Sequence, residues 1–171
     1  MTGGSYTYRN FLIRDWQPRD RTLAAELIQS VLTEYGLTAE PAAADHDVFQ
    51  VEDAYWRTGG EFWVVEWQGR LVGTAAFYPV SRGQQAVEIR KMYLLPESRG
   101  QGLGTFLLQT LEQVISNRGF QQIWVETAST LKEAVKLYER SGYQITTGVE
   151  TARCDRIYTK FIGQAIATEA P

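Results

Sequence analysis

The sequence predicts an α/β fold of the mixed α+β kind, one sheet carrying both strand directions with helices on its faces. Two observations carry this prediction. Apolar segments of strand type interleave with segments of helical spacing in the order β-α-α-β-β-β-α-β-α-β-β, which implies a mixed sheet with helices packed on it. At 171 residues the chain is long enough for one compact domain with a sizeable core, and short for two. The expected domain is residues 1–171, with its core at about 8–163 and residues 164–171 as a frayed tail.

Each element has its own signal. Tyr8 to Arg14 (YRNFLIR) reads as a strand, with aromatic and β-branched residues ahead of a polar break. Pro18 opens a helix in which Leu23, Leu27, Ile28, Val31 and Leu32 recur at helical spacing. Gly36 to Asp47 reads as a loop, whose acidic end caps a second short helix, DVFQVEDAYWR. EFWVVEWQGRLVGTAAFYPV reads as two strands joined at Gln68-Gly69-Arg70, and QQAVEIRKMYLL as another strand after Ser81-Arg82-Gly83. A helix from about Gly102 to Asn117 places Leu103, Phe106, Leu107, Leu111, Val114 and Ile115 on one face, and Gly119 ends it. Gln121 to Thr127 is a strand, Thr130 to Arg140 a helix stopped by Gly142, and Tyr143 to Val149 and Arg156 to Ile162 the last strands.

Composition excludes several classes. A net charge of −3 gives no reason to expect a nucleic-acid partner. The single cysteine, Cys154, rules out an intramolecular disulfide, and Cys154 with the single histidine, His46, is too few ligands for a Cys/His zinc site, so no metal is expected. The start MTGGSYTYRN lacks the apolar core of a signal peptide, and no apolar run approaches the ~20 residues of a membrane helix. The expectation is a cytoplasmic protein with no membrane partner.

The chemistry concentrates in RGQGLGTFLLQTLEQV, Arg99 to Val114. The run lacks the Lys-Ser/Thr ending of a P-loop, and its spacing is GxGxG instead of the dinucleotide GxGxxG. One reading is a flexible turn before an ordinary helix. However, glycine in the first turn costs roughly 0.5–1 kcal/mol against alanine, and Gly102 and Gly104 both sit there. Helix-start amides are unpaired and lie at the positive end of the dipole, so bare backbone at this point suits a phosphate or pyrophosphate. Arg99 would add a charge-assisted contact. The balance favours a phosphate cradle.

Arg99-x-x-Gly102-x-Gly104 after KMYLLPES resembles the coenzyme A loop of the GNAT superfamily of N-acetyltransferases, and AVKLYERSGY (Ala134 to Tyr143) resembles that superfamily's second characteristic segment. The resemblance is sharpest from Glu88 to Tyr143. It implies a mostly antiparallel central sheet in which one parallel pair, Glu88–Leu95 and Gln121–Thr127, splays apart to admit acetyl-CoA. The pyrophosphate would rest on Arg99, Gly100, Gln101, Gly102, Leu103, Gly104 and Thr105, and the pantetheine arm on main-chain groups of Met92, Tyr93 and Leu94. Many relatives carry an asparagine three positions before the alanine of the second segment. Here that position is Leu131, and the hydroxyls of Thr127, Ser129 and Thr130 are the substitutes, Thr130 being the cofactor contact assigned.

The same resemblance implies roles in catalysis. Tyr138 would touch the cofactor and protonate the departing thiolate; packing under the cofactor is its alternative role. Glu88 is the candidate base, Glu126 its competitor, and a pocket that delivers a neutral amine would need neither. Backbone amides near Met92 and Tyr93 would serve the oxyanion. The acceptor side would combine Gly36–Arg57, carrying Asp45, His46, Asp47, Glu52, Asp53 and Tyr55, with Gly148–Arg156. Its acids suit a cationic amine, unless they are helix caps and solvated charge. His46 fits a surface role and Cys154 has no activator. Trp56, Trp63 and Trp67 are either pocket walls or core.

The resulting expectation is a transferase moving an acetyl group from acetyl-CoA to a primary amine of a small molecule, directly, in a ternary complex. A protein or peptide acetyltransferase and a non-catalytic acyl-CoA-binding module are the alternatives. Exposed strand edges and spare aromatics would suit a homodimer.

Overall fold

The computed structural model describes residues 4–163. Its strands are β1 (Ser5–Tyr8), β2 (Phe11–Asp15), β3 (Glu61–Trp67), β4 (Arg70–Val80), β5 (Ala86–Leu94), β6 (Gln122–Thr127), β7 (Gln144–Thr146) and β8 (Arg156–Phe161). They form one eight-stranded sheet in the order β1-β2-β3-β4-β5-β6-β8-β7. Helices α1 (Arg21–Glu34), α2 (His46–Phe49), α3 (Leu103–Asn117) and α4 (Lys132–Arg140) flank it. β5 and β6 are its parallel pair, so the expected mixed sheet with one parallel pair is present.

Both faces of the sheet are covered, which explains why β3 reads as a continuous apolar run instead of an alternating one. Trp63 and Val65 point to the face where Leu107, Leu111 and Ile115 of α3 and Leu137 of α4 pack on Phe77, Val87, Ile89, Ile123 and Val125. Phe62 and Val64 point the other way, to Trp16, Ile28 and Leu32 of the α1 side and to Tyr55. Trp56 also packs there, its ring 5.6 Å from that of Trp16. The tryptophans are therefore packing residues.

The parallel pairing is short. Ala86–Ile89 register against Gln122–Val125, and beyond that point the two strands carry no ladder between them. A bulge marks the departure, because Ala76 pairs with Arg90 while Thr74 pairs with Tyr93, and Lys91 sits at φ 52°. Bulges bend the strand that carries them. Contacts at both ends of Lys91 fix this one: Thr74 Oγ1 donates to the Lys91 carbonyl at 2.6 Å, and Lys91 Nζ donates to Ala44 O at 2.7 Å and to Asp45 Oδ1 at 2.6 Å. Arg153 grips the same Asp45 with two nitrogens at 2.6 and 2.8 Å. Burial alone would push the Asp45 carboxyl up, but Arg153 and Lys91 hold it well below the ordinary aspartate range.

Three elements differ from their sequence reading. The strand expected over Tyr8–Arg14 is a hairpin of β1 and β2, turning at Arg9-Asn10 with Arg9 at φ 51°. No glycine advertises that turn, so an apolar-rich run crosses it unmarked. The short helix expected over residues 47–57 divides into α2 and a π-helical turn, Glu52–Trp56. The strand expected over Tyr143–Val149 contracts to Gln144–Thr146, and the chain after it is held by side-chain contacts in place of a ladder. The C-terminal tail expected at 164–171 lies outside the described residues.

Asp45→Ala is expected to destabilise the protein by about 3–5 kcal/mol in denaturant unfolding, because it leaves Arg153 without its carboxylate and Lys91 with Asp47 alone. The pH dependence has a definite sign. The folded state lowers the Asp45 pKa, so its stabilisation is present above the ordinary aspartate pKa and fades as pH falls through the folded value. Asp45→Asn is expected to flatten that acid limb of the stability curve.

Candidate functional site

The separation of β5 from β6 leaves a passage. A cavity of about 240 Å³ lies between the end of β5, the start of α3 and one face of α4, with Val31 and Tyr35 closing its α1 side. Met92, Tyr93, Leu94, Arg99, Gly100, Gly102, Leu103, Gly104, Thr105 and Tyr138 all line it. A smaller chamber of about 40 Å³ shares Met92, Tyr93, Leu131, Ala134 and Tyr138 with it and lies between Ile89 and Val125, where the strands part. Arg90, Glu126, Arg153 and Cys154 close that chamber's far side. Ten of the residues expected to hold the cofactor thus surround one space, while Thr130 is exposed and lines neither cavity, and Gln101 turns its carbonyl to Tyr8.

The glycine run forms the outer end. The amides of residues 100–105 have no acceptor among the described residues, so successive donors surround the start of α3. Gly100 at φ 72° and Gly102 at φ 81° supply left-handed backbone. Gly104 has no such need. A Cβ there would meet Leu137 at 3.6 Å and Leu94 at 3.8 Å, ordinary contact distances, so its bareness serves the cavity wall. Arg140 Nη2 donates to Thr105 Oγ1 at 3.0 Å and places a cation beside those amides.

Arg99 is already occupied. Its guanidinium makes a two-point bond to Glu34 at 2.7 and 2.8 Å, and its Nε donates to Leu94 O at 2.9 Å. It ties α1 to the end of β5 while lining the cavity, and Arg99 in turn lowers the Glu34 pKa. Its charge is therefore partly neutralised before any anion arrives.

Tyr138 stands where the two cavities meet, with its ring 5.6 Å from Tyr143 and 6.2 Å from Tyr158. Burial raises its pKa above the ordinary tyrosine value, so the phenol keeps its proton at neutral pH. Tyr93 is pushed up to about 12, chiefly by burial, with Arg153 opposing. Burial also pushes the Cys154 thiol up to about 11, which leaves it protonated and unreactive as a nucleophile.

The two glutamates occupy different environments. Glu126 accepts from the amides of Glu150 at 2.6 Å and Thr151 at 2.9 Å and from Arg82 at 3.1 Å. Those donors outweigh burial and lower its pKa, and they pin the chain after β7 over the sheet. Glu88 is buried between its strand neighbours Tyr78 and Trp124, and its carboxylate accepts no hydrogen bond from the described residues. Its nearest cation is Arg90 Nε at 4.0 Å. Burial raises its pKa, with Arg90 opposing. Glu88 lines neither cavity; it sits two residues before Arg90, which does.

The acids of the connecting loop are mostly paired. Asp47 accepts from the Tyr55 hydroxyl and lies 3.2 Å from Lys91 Nζ, Glu52 pairs with Arg21 at 2.7 Å, and Asp53 pairs with Arg57 at 2.7 Å. Asp45 and Asp47 are internal counter-ions, while Glu52 and Asp53 pair at the surface, Asp53 as solvated charge, so the loop offers no free acidic pocket. His46 is exposed at the start of α2. Sequence reasoning missed Arg140, Tyr8 and the Asp45–Arg153 tie. Arg140 had a faint signal, lying two residues after Tyr138 in the second segment, whereas Tyr8 and Gln101 are 93 residues apart with nothing to link them. Among the described residues no group of three or more His, Cys, Asp or Glu is arranged to hold a metal, and no described helix is long and apolar enough to cross a membrane.

Comparison with known proteins agrees with this geometry. The sequence profile of the "Acetyltransferase (GNAT) family" matches residues 19–143. The chain is 37% identical over 130 residues to the uncharacterized N-acetyltransferase YjgM of Escherichia coli (strain K12), covering 74% of this chain and 77% of that one. A GNAT-family acetyltransferase from Staphylococcus aureus Mu50 superposes with a TM-score of 0.82 at 18% identity, over 88% of this chain and 98% of its own. The putative acetyltransferase yncA of Salmonella typhimurium, solved with acetyl-CoA, superposes at 0.70 with 21% identity, over 95% of this chain and 100% of its own. The chain belongs to the GNAT family of acetyl-CoA-dependent N-acetyltransferases.

Proposed function

We propose that this enzyme moves an acetyl group from acetyl-CoA directly to the primary amine of a small molecule, with both substrates bound at once. The observation that carries the reading is the pair of adjoining cavities, sharing Met92, Tyr93, Leu131, Ala134 and Tyr138, that lie between the amides of residues 100–105, unpaired among the described residues, and the gap between β5 and β6. Acetyl-CoA supplies an activated thioester, and the acetyl-CoA held by the Salmonella typhimurium neighbour supports this choice of donor.

The chain's own groups have matching tasks. The amides of residues 100–105 and the α3 dipole hold the pyrophosphate, with Arg140 adding positive charge. The backbone of Met92, Tyr93 and Leu94 lines the arm's path, and the chamber of about 40 Å³ suits a group the size of an acetyl. Tyr138, kept neutral by burial, donates its proton to the sulfur as the thiolate leaves. Glu88 takes the proton of the amine, directly or through water, because its lone pairs accept nothing from the described residues, whereas those of Glu126 accept two amides. The pinned chain after β7 narrows the acceptor side, which favours a small acceptor over a peptide.

Gly104→Glu is expected to abolish coenzyme A binding in calorimetric titration while leaving the melting temperature nearly unchanged, because φ at this site tolerates a side chain; retained affinity would remove the cradle. Gly102 is a poorer test, since its φ of 81° makes any side chain strained with or without ligand. Tyr138→Phe is expected to lower kcat by about 10²-fold with little change in coenzyme A affinity. Glu88→Gln is expected to remove the rise of kcat/KM with pH that follows Glu88 ionisation. Because the fold raises that pKa, ionisation also costs stability as pH rises through it, so the same variant is expected to melt about 1–3 °C higher at neutral pH.

A further inference from the structure

We propose that Tyr8 is a positioning residue for the phosphate-binding loop, acting by fixing the orientation of the Gln101–Gly102 peptide. The inference rests on the coenzyme A reading above and adds a residue that lies outside both characteristic segments. The Tyr8 hydroxyl donates to Gln101 O at 2.8 Å. Its ring stacks on Phe106 in the first turns of α3, with centroids 4.6 Å apart and planes 25° from parallel. One side chain of the N-terminal hairpin thus grips the loop and the helix it feeds.

The consequence follows from peptide geometry. In a planar trans peptide the carbonyl and the next amide point in opposite directions. With the Gln101 carbonyl held by Tyr8, the Gly102 N–H faces away from Tyr8. Gly100, Gly102 and Gly104 leave this stretch with little intrinsic conformational preference. A flipped Gln101–Gly102 peptide would present a carbonyl oxygen where an amide is needed, repelling the phosphate it should attract. Tyr8 supplies the restraint that the glycines lack. A Cβ at Gly102 would lie 2.6 Å from the Tyr8 hydroxyl oxygen, so a side chain there would displace that hydroxyl.

Tyr8→Phe keeps the stacked ring and removes only the hydroxyl. The test compares the dissociation constants of coenzyme A, by calorimetry, and of pantetheine, which lacks the phosphates, by ligand-observed NMR. The expected result is coenzyme A affinity about fivefold weaker, the value of one hydrogen bond, with pantetheine affinity unchanged. With saturating acetyl-CoA, kcat is expected to stay within twofold of wild type. If the variant binds coenzyme A as wild type does, or if both ligands weaken together, Tyr8 is a packing residue and the proposal falls. If wild-type protein fails to bind coenzyme A, the coenzyme A reading falls first and the proposal with it.

Discussion

Lys91 occupies left-handed backbone at φ 52° inside a strand, and its ammonium is buried against Asp45 and the Ala44 carbonyl. A non-glycine residue in that conformation is strained, typically by 1 kcal/mol or more, and persists only when its surroundings over-determine it. Here the surroundings do so from three directions: Thr74 holds the carbonyl, Asp45 holds the ammonium, and Arg153 holds Asp45. The resulting bulge turns β5 away from β6. Without it the parallel ladder would continue past Ile89 and Val125, and the backbone from Met92 to Leu94 would meet β6 instead of the cavity. The same ion cluster joins three segments distant in sequence, the loop before α2, β5 and the chain before β8. The opening beside β5 and the placement of the loop before α2 and the chain before β8 are therefore held by one ion cluster.

The cluster also sorts the acidic groups. Most carboxylates near the gap are consumed in holding something: Asp45 and Asp47 face Lys91, and Glu126 takes two amides and Arg82. Glu88 is left with a cation at 4.0 Å and no hydrogen-bond donor among the described residues. A buried carboxylate so placed is a cost to stability and an asset to proton transfer, and the raised pKa expresses both. The structural carboxylates and the candidate base are separated by what they accept, more than by where they lie.

Much of this fold was legible in the sequence because burial writes periodicity. The spacing of Leu103, Leu107, Leu111 and Ile115 announced α3, and the run from Phe62 to Val65 announced a strand, which the structure covers on both faces. The glycine run that borders the cavity stood out for a related reason, because bare backbone before a helix is costly unless something uses it. What stayed hidden depended on contacts with no local signature. Arg9 turns the N-terminal hairpin at φ 51° with no glycine to mark it. The acids between Asp45 and Asp53 could be read as a site for a cationic amine or as caps and solvated charge, because Lys91, Arg153 and Arg21, which hold Asp45, Asp47 and Glu52, lie far off in the chain. Arg99 looked free for phosphate, and Glu34, 65 residues away, already holds it.

The three glycines of the loop show how one motif condenses separate demands. Gly100 and Gly102 are required by backbone conformation, since both lie at positive φ. Gly102 carries a second demand, the approach of Tyr8 to within 2.6 Å of where its Cβ would be. Gly104 has helical backbone and room for a methyl group, so neither conformation nor close packing requires it, and the remaining reason is the space it leaves between Leu94 and Leu137 for a ligand. A glycine demanded by φ would be found in any tight turn of this shape. A glycine demanded only by an empty wall is a statement about what the wall faces, and Gly104 is therefore the residue of the motif that speaks most directly for a bound cofactor.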